Sequence, residues 1–226
     1  MAYFVGENWG SWVDVKQGIH EKYKREMINL RKRGKQVTIF MSSATDPYQS
    51  VEYKEKITRA LLEVMVEFPP DFLFVQTRSA LVTRDIDLFL LLKGRLRISI
   101  TVETDDDRIR KVFTPQAPPI EGRLKAIKQL KENGLPVQVA VAPVLPFSSS
   151  FPERLSQLVN RIVIDDFTGD GSKGKRTERL KVKELYTEAE FEKWYGQDTQ
   201  LHAYEQMKKT FTNEQIFFSK EGFMPF

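Results

Sequence analysis

Apolar and polar positions fall in blocks along this chain. Short runs dense in β-branched and aromatic residues alternate with stretches whose apolar side chains recur every three or four positions. The first periodic stretch, about Ile19–Arg33, places Tyr23, Met27 and Leu30 on one stripe and meets a stop at Gly34. Val37–Ser43 follows as a run too apolar for a sheet with one wet face. A second helix is predicted over about Val51–Glu67, where Ile57, Leu61 and Met65 share a face that Glu55, Arg59 and Glu63 avoid. Pro69-Pro70 ends it, because neither residue can donate a backbone hydrogen bond. The cycle repeats with a strand at Phe72–Thr77, a short helix capped by Thr83 with Asp85 and Asp87 in its first turn, and a strand at Arg97–Glu103. Another helix over about Ile120–Glu132 is closed by Asn133-Gly134 and Pro136. Val137–Leu145, a helix through Leu155–Val159 and Arg161–Asp165 complete the regular part. From Asp166 the pattern changes to a polar, glycine-rich loop and an aromatic-rich C-terminus.

Five apolar runs separated by helices point to parallel βα units, since each parallel crossover needs a dozen or more residues. An open doubly wound sheet and a full or partial βα barrel both fit. No Gly-x-Gly-x-x-Gly follows the first run, which weakens the dinucleotide-binding option. In either architecture ligands gather at the C-terminal ends of the strands. Those ends carry Ser42, Ser43, Thr45 and Asp46, then Gln76, Thr77, Arg78 and Ser79, then Ser99, Thr101 and Glu103, with Pro143 near the fourth. Polar tips on apolar strand bodies suit a small ligand with charged and hydroxyl groups, although Ser, Thr and Asp also favour such turns as caps.

Composition narrows the chemistry. The 226 residues contain no cysteine, which excludes disulfides, thiol nucleophiles and thiolate-held zinc or iron–sulfur centres built from this chain alone. Lys and Arg number 35 against 31 Asp and Glu, a net charge of +4 that is ordinary for solubility and compatible with nucleic-acid contact. No apolar run is long enough to span a bilayer, and the N-terminus lacks a secretory pattern, so a cytoplasmic protein is expected. Gly169–Lys175 satisfies Gly-x-x-x-x-Gly-Lys, but Arg176 stands where a phosphate loop needs Ser or Thr on magnesium, and the loop comes late in the chain. With Lys173, Lys175 and Arg176 it reads better as a flexible basic loop able to meet a phosphate backbone, DNA included. Asp105–Asp107 reads as turn or capping carboxylates rather than a metal site.

The ordered strings SSATDPYQSVE, TRSALVTRDIDLF, ISITVETDDD and VAVAPVLPF, with GDGSKGKRT after them, resemble the spore-photoproduct-lyase-like branch of the radical S-adenosylmethionine (SAM) superfamily. The resemblance runs from about Trp9 to about Thr177. It implies an α/β fold, a partial βα barrel holding SAM across its strand tips and missing its first strand. It also implies a [4Fe-4S] cluster on three cysteines, whose reductive cleavage of SAM yields a 5′-deoxyadenosyl radical. By motif position Ser43, Thr45 and Asp46 meet the amino end of SAM, Arg78 falls where relatives place a lysine near its carboxylate, Ser99 lies at the neighbouring strand's polar contact, and Glu103 is a candidate for the ribose. Arginine keeps that charge but presents a fork that suits a carboxylate. The cysteine motif of relatives precedes a segment resembling MAYFVGENWG, so this chain is expected to begin just after it and not to cleave SAM as it stands. A non-catalytic SAM- or nucleic-acid-binding module on the same fold is the alternative.

Residues 1–185 are expected to form the incomplete barrel, with 186–226 as an extension packing on it. A barrel lacking an edge strand exposes unpaired backbone, which predicts self-association or cover of that edge by residues near Val13–Val15.

Overall fold

The computed structural model describes residues 15–42, 45–166, 178, 181–188, 191–196 and 198–225. Six strands form one parallel sheet in sequential order: β1 Thr38–Met41, β2 Phe72–Thr77, β3 Leu96–Thr101, β4 Val137–Val141, β5 Ile162–Ile164 and β6 Ile216–Phe218. Every neighbouring pair is parallel, and the sheet is open, with β1 and β6 at its two edges. The fold is thus α/β, a partial barrel of the expected kind.

Strand alternation separates two faces. Leu73, Val75, Ile98, Ile100, Val139, Val141, Ile162 and Ile164 are buried toward the helices. There they meet Leu62 and Met65 of helix Ile57–Glu67, Phe89 of helix Ile86–Leu91, and Leu124, Ile127 and Leu130 of helix Ile120–Glu132. The other, inner face carries Phe40, Phe74, Gln76, Arg97, Ser99, Thr101, Gln138 and Val163, a mixture no parallel sheet leaves open to solvent without a cover.

That cover is the chain's own C-terminus. After β6, Ser219 adopts a left-handed backbone (φ 41°) and a 3₁₀ turn, Ser219–Phe223, carries the chain onto the inner face. Ser219 Oγ donates to Asp165 Oδ1 (2.7 Å), Gln138 Nε2 donates to the Gly222 carbonyl (3.1 Å), and an Arg97 guanidinium nitrogen donates to the Met224 carbonyl (3.3 Å). Phe223 packs edge-on against Phe40 and Phe74, with ring centroids 6.0 and 5.7 Å away. The segment therefore crosses from β5–β6 to β1–β2.

Several elements differ from the sequence-based expectation, each for a local reason. The helix expected over Val51–Glu67 is two helices, Glu52–Glu55 and Ile57–Glu67, broken at Lys56 with φ 52°. The Glu52 carboxylate accepts from the Thr58 amide (3.0 Å) and Thr58 Oγ1 donates to the Pro47 carbonyl, which fixes the start of the second helix. Thr83 does not cap a helix: Ser79 Oγ accepts from the Leu81 amide, and Thr83 Oγ1 donates to the Ala80 carbonyl. Asp85, expected in a solvated first turn, is buried and accepts from Tyr48 Oη, Arg59 and Arg84. The sixth strand comes from a three-residue run, Ile216–Phe218, too short to stand out by periodicity. The edge cover expected near Val13–Val15 falls largely outside the described residues; Val15 itself is not in a strand. Among the described residues no helix is long and apolar enough to cross a membrane.

Candidate functional site

A cavity of about 270 Å³ opens at the C-terminal ends of the strands, a little below the several-hundred-Å³ range usual for ligand sites. Thr45 and Asp46 reach it from the loop after β1, Gln76, Thr77 and Arg78 from the end of β2, Thr101 from β3, and Phe40 and Phe223 close one side.

Asp46 organises the β1–β2 corner. Its Oδ1 accepts from the Tyr48 amide (2.8 Å) and Thr77 Oγ1 (2.6 Å), while Oδ2 accepts from the Arg78 amide (2.8 Å). Each carboxylate oxygen can accept more than one donor, so Oδ2 keeps capacity for a ligand. Arg78 is fixed from behind: its Nε donates to Glu103 Oε1 (2.6 Å), and among the described residues its two terminal nitrogens have no partner. The side chain is 40% exposed. Glu103 is held in turn by Arg123, whose guanidinium donates to Glu103 Oε2 (2.6 Å) and to the Thr101 and Pro118 carbonyls. Both Glu103 and Arg123 are fully buried. Burial alone would raise the Glu103 carboxyl, but the Arg78 and Arg123 guanidiniums outweigh it and hold the group below its ordinary range. Burial also lowers Arg123 from its ordinary value, against the pull of Glu103. One carboxylate thus serves two arginines, and the excess positive charge faces the cavity at Arg78.

Gln76 supplies an open valence. Its Nε2 donates to Thr101 Oγ1 (2.7 Å), and its Oε1 is buried at the cavity wall without a partner among the described residues. Exchanging the two amide atoms would leave the nitrogen open instead, so either orientation leaves one polar atom for a ligand or water. A buried amide atom without a partner is uncommon, and at a cavity wall it offers a hydrogen bond to a ligand or a water.

Thr45, Asp46 and Arg78 therefore lie together on the cavity wall. Ser99 does not: it is buried deeper in β3, where Oγ accepts from Gln138 Nε2 (3.3 Å) beneath the C-terminal segment. Glu103 stands behind Arg78 with both oxygens engaged, a position from which it orients the arginine instead of reaching a ribose. Ser43, Lys173, Lys175 and Arg176 lie outside the described residues. Residue patterns alone passed over Arg123 and placed Phe223 only within an aromatic tail expected to pack on the barrel. Arg123 did leave a signal, a charge on the same helical stripe as Ile120, Leu124 and Ile127. Phe223 left none, being one aromatic residue among many in the tail.

Residues 8–149 match the Radical SAM superfamily. The chain belongs to the radical SAM superfamily. Relatives of this radical SAM chain include the uncharacterized protein ORF301 of Acidianus two-tailed virus, 35% identical over 63% of this chain and 45% of that protein. The uncharacterized protein MJ0683 of Methanocaldococcus jannaschii is 33% identical over 61% of this chain and 49% of its own length. The chain spans about half the length of these relatives. Among solved structures, a spore photoproduct lyase mutant with bound AdoMet and dinucleoside spore photoproduct superposes with a TM-score of 0.59 at 15% identity, covering 89% of this chain and 66% of that one. At such identity the likeness is one of fold.

An iron–sulfur cluster does not fit the residues of this chain. It has no cysteine, and among the described residues no group of three or more His, Asp or Glu side chains is placed to hold a metal.

Proposed function

We propose that this chain is a SAM-binding unit that holds the amino-acid end of the ligand at its strand tips. The observation that carries the reading is the joint placement of Asp46, the outward end of Arg78 and the open Gln76 amide on one cavity wall. Asp46 suits the ligand's ammonium, the Arg78 fork suits its carboxylate, and Gln76 offers a further polar contact. Reductive cleavage of SAM needs thiolate-held iron that must come from outside these 226 residues. For the whole protein we propose a nucleic-acid photoproduct as the substrate class, on the strength of the dinucleoside that the structural neighbour's name describes.

Calorimetric titration of SAM into the purified chain tests the reading. Arg78→Ala removes a charge-assisted contact of about 1.5–3 kcal/mol, so affinity is expected to fall roughly 10- to 100-fold. Arg78→Lys recovers only part, because a point charge cannot make the bidentate pair. No binding by the parent chain, or binding indifferent to Arg78→Ala, overturns the proposal.

The free edge of β1 supports a second part of the proposal, self-association. Thr38 and Phe40 on that strand are exposed, and among the described residues only β2 pairs with it. Sedimentation equilibrium is expected to show an oligomer, and a strict monomer at all concentrations removes this part.

A further inference from the structure

We propose that Phe223 is a specificity-determining residue of the strand-tip cavity, setting its depth from the C-terminal segment that lies inside the barrel. The inference rests on the SAM-binding reading above and goes beyond it. The cavity is built by two parts of the chain that are far apart in sequence. The charged wall comes from Asp46 and Arg78, whereas the aromatic wall comes from Phe40 and Phe223.

Phe223 reaches this position because its segment is captured mainly through main-chain groups. Gln138 and Arg97, side chains of the inner face, donate to the carbonyls of Gly222 and Met224 on either side of it. Gly222 lets the backbone lie directly on β5, since a Cβ there would stand 2.3 Å from a Val163 methyl. Side-chain capture of carbonyls fixes where the segment runs without dictating what stands at position 223. The ring that does stand there packs edge-on against the stacked pair Phe40 and Phe74 and lines the cavity. A smaller residue would uncover the rings of Phe40 and Phe74 and deepen the cavity over β1 and β2.

A ligand anchored by its ammonium and carboxylate at Asp46 and Arg78 extends its far end away from that wall. In SAM the far end is the adenine. Phe223 is then the group that limits what can be attached there.

The test compares calorimetric affinities for SAM and for SAM enlarged by an N6-benzyl group, in the parent chain, Phe223→Ala and Phe223→Leu. The parent is expected to favour SAM, and Phe223→Ala to shift the ratio toward the enlarged ligand by roughly 10-fold or more, the scale on which pockets discriminate by size. Phe223→Leu, which keeps most of the apolar volume, is expected to fold as the parent does and to shift the ratio by less. An unchanged ratio in both variants, with SAM still bound through Arg78, overturns the role of Phe223 and leaves the SAM reading standing. Failure of the parent chain to bind either ligand overturns both.

Discussion

Replacing Glu103 by alanine is expected to lower folding stability by about 3–5 kcal/mol, the scale found when one partner of a buried ion pair is removed. The reason is Arg123. Its guanidinium is fully buried and would keep its carbonyl partners at Thr101 and Pro118 while losing its only counter-charge among the described residues. Urea denaturation followed by circular dichroism measures the loss. Pairing Glu103→Leu with Arg123→Met is expected to recover most of it, since removing both charges leaves neither stranded. A single alanine variant as stable as the parent would show that Arg123 finds water or another partner.

The same pair carries a pH dependence with a definite sign. The Glu103 carboxyl is held below its ordinary value of 4.5 in the folded chain. Its contribution is therefore fully present above that value and is lost as pH falls through the lower folded one. Acid denaturation of the parent is expected to begin below about pH 4.5, and the double variant should lose that part of the dependence. Arg78 would also lose the carboxylate that aims it, so Glu103→Ala is expected to weaken SAM binding in proportion to its effect on the arginine's position.

The second large effect is steric. Gly222→Val is expected to destabilise by about 1–3 kcal/mol, the range for overpacking a close-packed site, and to lift the C-terminal segment from the inner face. Even the first added carbon would lie 2.3 and 2.4 Å from the two Val163 methyls and 2.9 Å from its Cβ. None of these atoms belongs to the far end of a flexible side chain. Retreat of the segment would separate Gln138 from the Gly222 carbonyl and Phe223 from Phe74. Val163→Ala removes the colliding methyls, so the double variant is expected to regain part of the stability, a coupling that a double-mutant cycle reads directly. Additive losses would mean that the two side chains do not meet.

Much of this architecture is legible in the amino-acid order because it depends on local periodicity. Phe72–Thr77 is a strand over the whole predicted range, and Ile120–Glu132 is a helix over the whole predicted range. In both, a single pattern of burial agrees with the propensities of the residues that carry it. The break at Lys56 was not legible, because it is imposed by Glu52 and Pro47 contacting Thr58 across the turn. For the candidate site the division is similar. Thr45, Asp46 and Arg78 could be named from their places at strand tips, which position alone defines. The roles of Glu103 and Ser99 could not, because alternation puts both near tips while burial decides that one braces Arg78 and the other bonds Gln138.

By itself, then, the sequence determined the parallel α/β class, the places of five of its strands along the chain and the residue types available at their tips. It also determined, through a cysteine count of zero, that no thiolate-held cluster can be built from this chain alone. Only the tertiary structure decided that one carboxylate would serve two arginines, that a sixth strand would come from Ile216–Phe218, and that the residues after it would fold into the barrel. The physical reason is range. Periodicity reports interactions within a turn or a strand, whereas Arg123 to Glu103, Gln138 to Gly222 and Phe223 to Phe40 join segments 20, 84 and 183 residues apart. Such contacts leave their mark on single residues, not on a repeating pattern.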